Sequence, residues 1–93
     1  MIKFNYKYFK IALKEARKAL SFDEVPVGAV LVDNISGEIL AKSYNQMRKK
    51  NDPTSHAEIE VIKLACRKKK VSRLNNTSLY VTLEPCPMCA QAI

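Results

Sequence analysis

The strongest constraint on the fold comes from four residues in two separate segments. His56 and Glu58 stand in Asp52-Pro53-Thr54-Ser55-His56-Ala57-Glu58, and Cys86 and Cys89 in Leu83-Glu84-Pro85-Cys86-Pro87-Met88-Cys89. Thirty positions separate His56 from Cys86. One imidazole and two thiolates can hold a zinc ion and leave its fourth position open, which marks a catalytic rather than a structural site. Any fold that uses them must bring both segments to one point. Glu58, two residues beyond His56, can meet a metal-bound water without being a ligand.

Each half of the pattern is weak by itself. Cys-x-x-Cys alone fits redox chemistry or half of a structural finger, and a lone histidine is commonly ordinary. The combination is far more specific, because His56 is the single histidine of the chain. Ser55 or Thr54 is suited to cap a helix starting near His56. Pro87 suits the first turn of another helix, where its missing N–H costs nothing. Two helix N-termini converging on one point would favour thiolate over thiol. A closed four-ligand site lacks its fourth soft ligand. Cys66, the remaining cysteine, lies in a helical apolar pattern and reads as a small buried hydrophobe. Its helix carries it more than two turns from His56 at about 3.6 residues per turn.

In chain order, Phe9, Ala12, Leu13, Ala16, Ala19 and Leu20 recur at spacings of three and four, which predicts an amphipathic helix over 6–20. Val27 to Val32 reads as a buried strand, with Gly28 marking a bulge or a close approach to the backbone. Asp33-Asn34-Ile35-Ser36-Gly37 is turn chemistry, and Ile39 to Tyr44 completes an antiparallel hairpin. Asn45 to Thr54 reads as a polar connection carrying Arg48, Lys49 and Lys50, with Asp52-Pro53 ending any regular structure there. The next helix should place Ile59, Ile62, Ala65 and Cys66 on its apolar face and end in Arg67-Lys68-Lys69-Lys70, at the negative end of its dipole. Ser78 to Leu83 reads as a third strand, ended by Pro85.

At 93 residues the chain allows one domain. Its net charge of +7 suits a phosphate-bearing partner and equally a lysine-rich solvated surface. No apolar run approaches the roughly 18 residues of a spanning helix. Met1 to Lys10 interleaves lysine with aromatics, which is not the pattern of a signal peptide. A cytoplasmic setting is therefore expected, and the paired cysteines read as metal ligands rather than a disulfide.

These motifs resemble the zinc-dependent nucleoside and nucleobase deaminases, whose His-x-Glu and Pro-Cys-x-x-Cys signature is a known one. Within that superfamily, Glu24-Val25-Pro26-Val27-Gly28-Ala29-Val30, Asn51 to Ile59 and Tyr80 to Cys89 look most like the bacterial tRNA-specific adenosine deaminases. The resemblance implies an α/β fold of the cytidine-deaminase type: a mixed central sheet with helices on both faces. Here it would hold three strands, two full helices and a helical stub, as the N-terminal part (1–93) of one deaminase domain. It implies Zn2+ bound by His56, Cys86 and Cys89, with Glu58 as the proton carrier. Asn45 would hydrogen-bond base or sugar, Ala57 would offer its backbone N–H to the base, and Glu84 would support the cysteine loop. The implied substrate is adenosine in a tRNA anticodon loop, and the implied full-length assembly is a homodimer. The alternatives are a deaminase of a free base or nucleoside such as guanine, or a non-catalytic zinc-binding remnant. The resemblance also implies further strands beyond the third. Expressed alone, the 93 residues are expected to be aggregation-prone or partly disordered, with little or no deaminase activity.

Overall fold

The structure is a computed structural model and describes residues 5–52, 54–69 and 74–82. Helix α1 (Tyr6–Ser21) begins at Asn5, whose side chain accepts the Lys7 N–H at 3.0 Å. It ends in a Schellman motif. Asp23 takes the left-handed conformation (φ 58°), its N–H bonds to the Leu20 carbonyl, and the Glu24 N–H reaches back to Ala19. The buried stripe is Tyr8, Ala12, Glu15, Ala16 and Ala19. Leu20, expected on that stripe, is exposed, and Glu15 lies inside it, bonded to the outward-reaching Lys18 at 2.7 Å. The small residues Ala12, Ala16 and Ala19 set the contact line because they let the helix approach the sheet closely.

Strands β1 (Gly28–Asp33), β2 (Ile39–Tyr44) and β3 (Thr77–Val81) form a sheet in the order β2-β1-β3. Both pairings are antiparallel, so the parallel component of a mixed sheet is not among these strands. The period-two alternation of β1 feeds two cores. Val30 and Val32 join Tyr8, Ala12 and Tyr80 under α1, whereas Ala29 and Leu31 join Leu40, Ala57, Val61 and Ala65 under helix α3 (Ala57–Lys69). The hairpin turn is held by Asp33, whose Oδ1 accepts the N–H groups of Ile35 (2.8 Å) and Ser36 (3.3 Å). Those backbone donors, with Lys69 adding to them, hold the Asp33 carboxyl below its ordinary value. A β-bulge at Leu31/Val32 shifts the register of β1 against β2.

The close approach expected at Gly28 is with α1. A Cβ there would stand 2.0 Å from the Ala12 carbonyl oxygen and 2.5 Å from the Ala16 nitrogen. The helix thus rests directly on the first residue of the central strand.

The polar connection after β2 holds a short helix, α2 (Met47–Lys50), which ends before Asp52-Pro53. One expectation is revised. In α3 the buried line is Ala57, Val61 and Ala65, while Ile59, Ile62 and Cys66 are only half-buried. Small side chains line this contact with the sheet, as Ala12, Ala16 and Ala19 do in α1.

Candidate active site

The head of α3 stands beside the ends of β1 and β2, where Asn45 follows the last residue of β2. The Asn45 N–H bonds to the Val27 carbonyl at 3.1 Å, and the Gln46 N–H to the Ser55 carbonyl at 2.8 Å. These bonds tie the end of the hairpin to the segment leading into α3. Asp52 shapes that segment: its Oδ1 accepts the Thr54 N–H at 2.9 Å and the Thr54 hydroxyl at 2.7 Å. The two bonds hold the Asp52 carboxyl below its ordinary value.

The His56 carbonyl accepts the Glu60 N–H at 2.9 Å, so His56 occupies the N-cap position of α3. The capping acceptor is neither Ser55 nor Thr54. It is Asn45, whose Oδ1 takes the Ala57 N–H at 2.9 Å across twelve positions of sequence. The Thr54 hydroxyl is instead directed to Asp52, and Ser55 is fully buried. The N–H that the resemblance assigns to the base is therefore engaged by Asn45. The Asn45 amide nitrogen donates to no described residue.

Glu58 lies in the first turn of α3 and is 3% exposed. No hydrogen bond or ion pair reaches its carboxylate from a described residue. The other buried carboxylates nearby are held. Glu60 takes Lys50 Nζ at 2.7 Å, and Glu24 takes the Lys49 N–H at 2.8 Å. These two acids anchor α2 from opposite sides, and the sequence reading did not single them out. Their partners lie 10 and 25 positions away, in a segment taken for a loop.

His56 is half-buried at the positive end of the α3 dipole. Among the described residues no group of three His, Cys, Asp or Glu side chains could hold a metal ion. A metal at His56 therefore needs ligands from other parts of the chain. Cys86, Cys89 and Glu84 lie outside the described residues. The donor set of one imidazole and two thiolates fits zinc with an open position.

Residues 2–93 match the family model for the cytidine and deoxycytidylate deaminase zinc-binding region. The chain belongs to this family. Among cytidine and deoxycytidylate deaminase-type relatives, the tRNA-specific adenosine deaminase of Agrobacterium fabrum is 54% identical over 86 residues, covering 92% of this chain and 55% of that one. The tRNA-specific adenosine deaminase of Bacillus subtilis is 51% identical, covering 92% and 52%. The chain thus spans about half the length of the curated relatives it matches.

Among solved structures, one from work on A-to-I editing by tRNA:A34 deaminases at the wobble position superposes with a TM-score of 0.89 at 52% identity, covering 94% of this chain and 65% of that one. Guanine deaminase from Bacillus subtilis superposes equally well, with a TM-score of 0.89 at 35% identity, covering 97% and 57%. The deaminase-type α/β architecture expected from the sequence is thereby established. No helix among the described residues is long and apolar enough to cross a membrane.

Proposed function

We propose that this deaminase-family chain serves the zinc-dependent hydrolytic deamination of adenosine to inosine at the wobble position of a tRNA anticodon loop. In this reading residues 1–93 are the N-terminal part of one deaminase domain, and the complete enzyme is a cytoplasmic homodimer. The observation that carries it is Glu58, a buried carboxylate with no described partner, in the first turn of a helix whose cap is His56. The higher identity to tRNA-specific adenosine deaminases than to guanine deaminase supports adenosine in RNA over a free purine.

Zinc, held by His56, Cys86 and Cys89, would supply Lewis-acid activation of water near neutral pH. The remaining work falls to the chain's own residues. Deamination forms a C–O bond at C6 of adenine and breaks the C6–N bond. Glu58 receives the proton that the attacking water gives up and delivers it to the ring nitrogen. It then carries the second proton to the departing ammonia. Such positioned transfer is typically worth about 10²–10⁴-fold. Asn45 spends its carbonyl on α3, leaving its amide N–H groups to donate to base or sugar. Glu84 supports the cysteine loop.

The decisive comparison is a substrate panel of guanine, adenosine, cytidine and a tRNA anticodon stem-loop, offered to the zinc-loaded full-length enzyme. Inosine from the stem-loop with little turnover of the free compounds is the expected result. Guanine turnover without inosine would transfer the reading to the free-base deaminases. Metal analysis completes the test. One zinc per chain is expected, and a Cys86→Ala, Cys89→Ala double variant that retains full zinc would refute the ligand set.

A further inference from the structure

We infer that Phe22, Tyr44 and Lys49 form a stacking platform for a nucleotide that flanks the target adenosine in single-stranded RNA. This rests on the RNA reading above and deepens it. The rings of Phe22 and Tyr44 are nearly parallel, at an interplanar angle of 7° with centroids 5.8 Å apart. The Lys49 ammonium lies 4.5 Å from the Phe22 centroid and 5.6 Å from the Tyr44 centroid. It also donates to the Tyr44 hydroxyl at 3.1 Å. Three elements thus converge: the end of α1, the end of β2 and α2.

The platform is open to a ligand. Phe22 is 46% exposed and Lys49 is exposed as well. Burial does not explain it, since neither residue belongs to the two apolar cores. An exposed aromatic pair with a cation over its rings matches a nucleotide, with a base to stack and a phosphate to neutralise. Aromatic stacking is tolerant of base identity, as a contact beside the reacting base requires.

Its position gives the contact a purpose. Tyr44 is joined directly to Asn45, which caps the helix that carries Glu58. Side chains of successive strand residues face opposite ways. Tyr44 accordingly turns toward Phe22 at the end of α1, while Asn45 turns toward α3. A ligand on the platform is therefore separate from a base held at Asn45, the next residue along the chain. A free purine cannot occupy both places, whereas a loop nucleotide and its neighbour can. Lys49 is held for this role through its backbone, because buried Glu24 accepts its N–H.

The test uses the zinc-loaded full-length enzyme and two probes: a fluorescent anticodon stem-loop for affinity, and adenosine as a single nucleoside. Phe22→Leu and Lys49→Gln should each weaken stem-loop binding by roughly five- to a hundredfold, the scale of one lost stack. Handling of adenosine should stay within twofold of the parent. Phe22→Tyr, which keeps the ring, should restore stem-loop affinity. A 2-aminopurine beside the target adenosine should be quenched on binding by the parent and not by Phe22→Leu.

Unchanged stem-loop affinity in Phe22→Leu would overturn the inference while leaving the RNA reading intact. Equal losses on stem-loop and adenosine would also overturn it, because the residues would then be structural. A parent that binds no stem-loop would overturn both the RNA reading and the platform.

Discussion

Asn45 Oδ1 accepts the backbone N–H of Ala57 at 2.9 Å, so the end of one strand caps the helix that carries Glu58. A local Ser or Thr cap would hold only the helix. This long-range cap also fixes the helix head against β2, and with it the height of His56 and Glu58 over the end of the sheet. Asn45 thereby holds the helix with its carbonyl oxygen, and its amide nitrogen is the end proposed above for the substrate.

Asn45→Ala should therefore lower stability as well as activity. A lost N-cap acceptor costs about 1 kcal/mol, and leaving the buried Ala57 N–H without a partner can raise this to about 3 kcal/mol. Urea denaturation of the two proteins measures the difference. Equal midpoints would mean that water replaces Asn45 at the helix head.

Gly28→Ala should be among the most damaging single changes in the chain. The new methyl would meet Ala12 and Ala16 backbone atoms that cannot rotate away. Separating α1 from β1 would open the core around Ala12, Val30 and Tyr80. The expected loss is at least about 3 kcal/mol, the upper range for overpacking. A thermal midpoint within two degrees of the parent, on the order of a fraction of a kcal/mol for a domain of this size, would contradict the contact.

Asp52 predicts a particular acid response. Thr54 holds its folded-state carboxyl below the ordinary value of 3.8. A depressed carboxyl stabilises the fold above its unfolded value, and that contribution disappears as pH falls from there through the folded value. The stability gap between the parent and Asp52→Asn should be widest near pH 6 and close below pH 3.8. A gap that stays constant from pH 6 to pH 2 would remove Asp52 ionisation from the account.

Much of this architecture was legible in the sequence, and the exceptions share a cause. The helix through Ala12 and Ala16, the Asp33–Gly37 turn and the tight contact at Gly28 are local patterns or follow from one residue's geometry. His56 and Glu58 both stand at the start of α3, where the sequence placed a helix start. What escaped the reading depends on partners far apart in sequence. The Asn45 cap spans twelve positions, Lys50–Glu60 spans ten, and Lys49–Glu24 spans twenty-five. Helical spacing also pointed to Leu20 and Ile62. The helices instead pack along their alanines, since close approach to the sheet outweighs side-chain size.

Inosine formation on a tRNA anticodon stem-loop, by the full-length enzyme as parent and by its Glu58→Gln variant at equal zinc content, tests the central claim most directly. Glutamine keeps the size of Glu58 and the helix head but cannot carry the proton. The account predicts inosine at the wobble adenosine for the parent and a loss of at least about a hundredfold for Glu58→Gln, with zinc retained. Activity of Glu58→Gln within about threefold of the parent, well below the usual worth of a proton carrier, would contradict it.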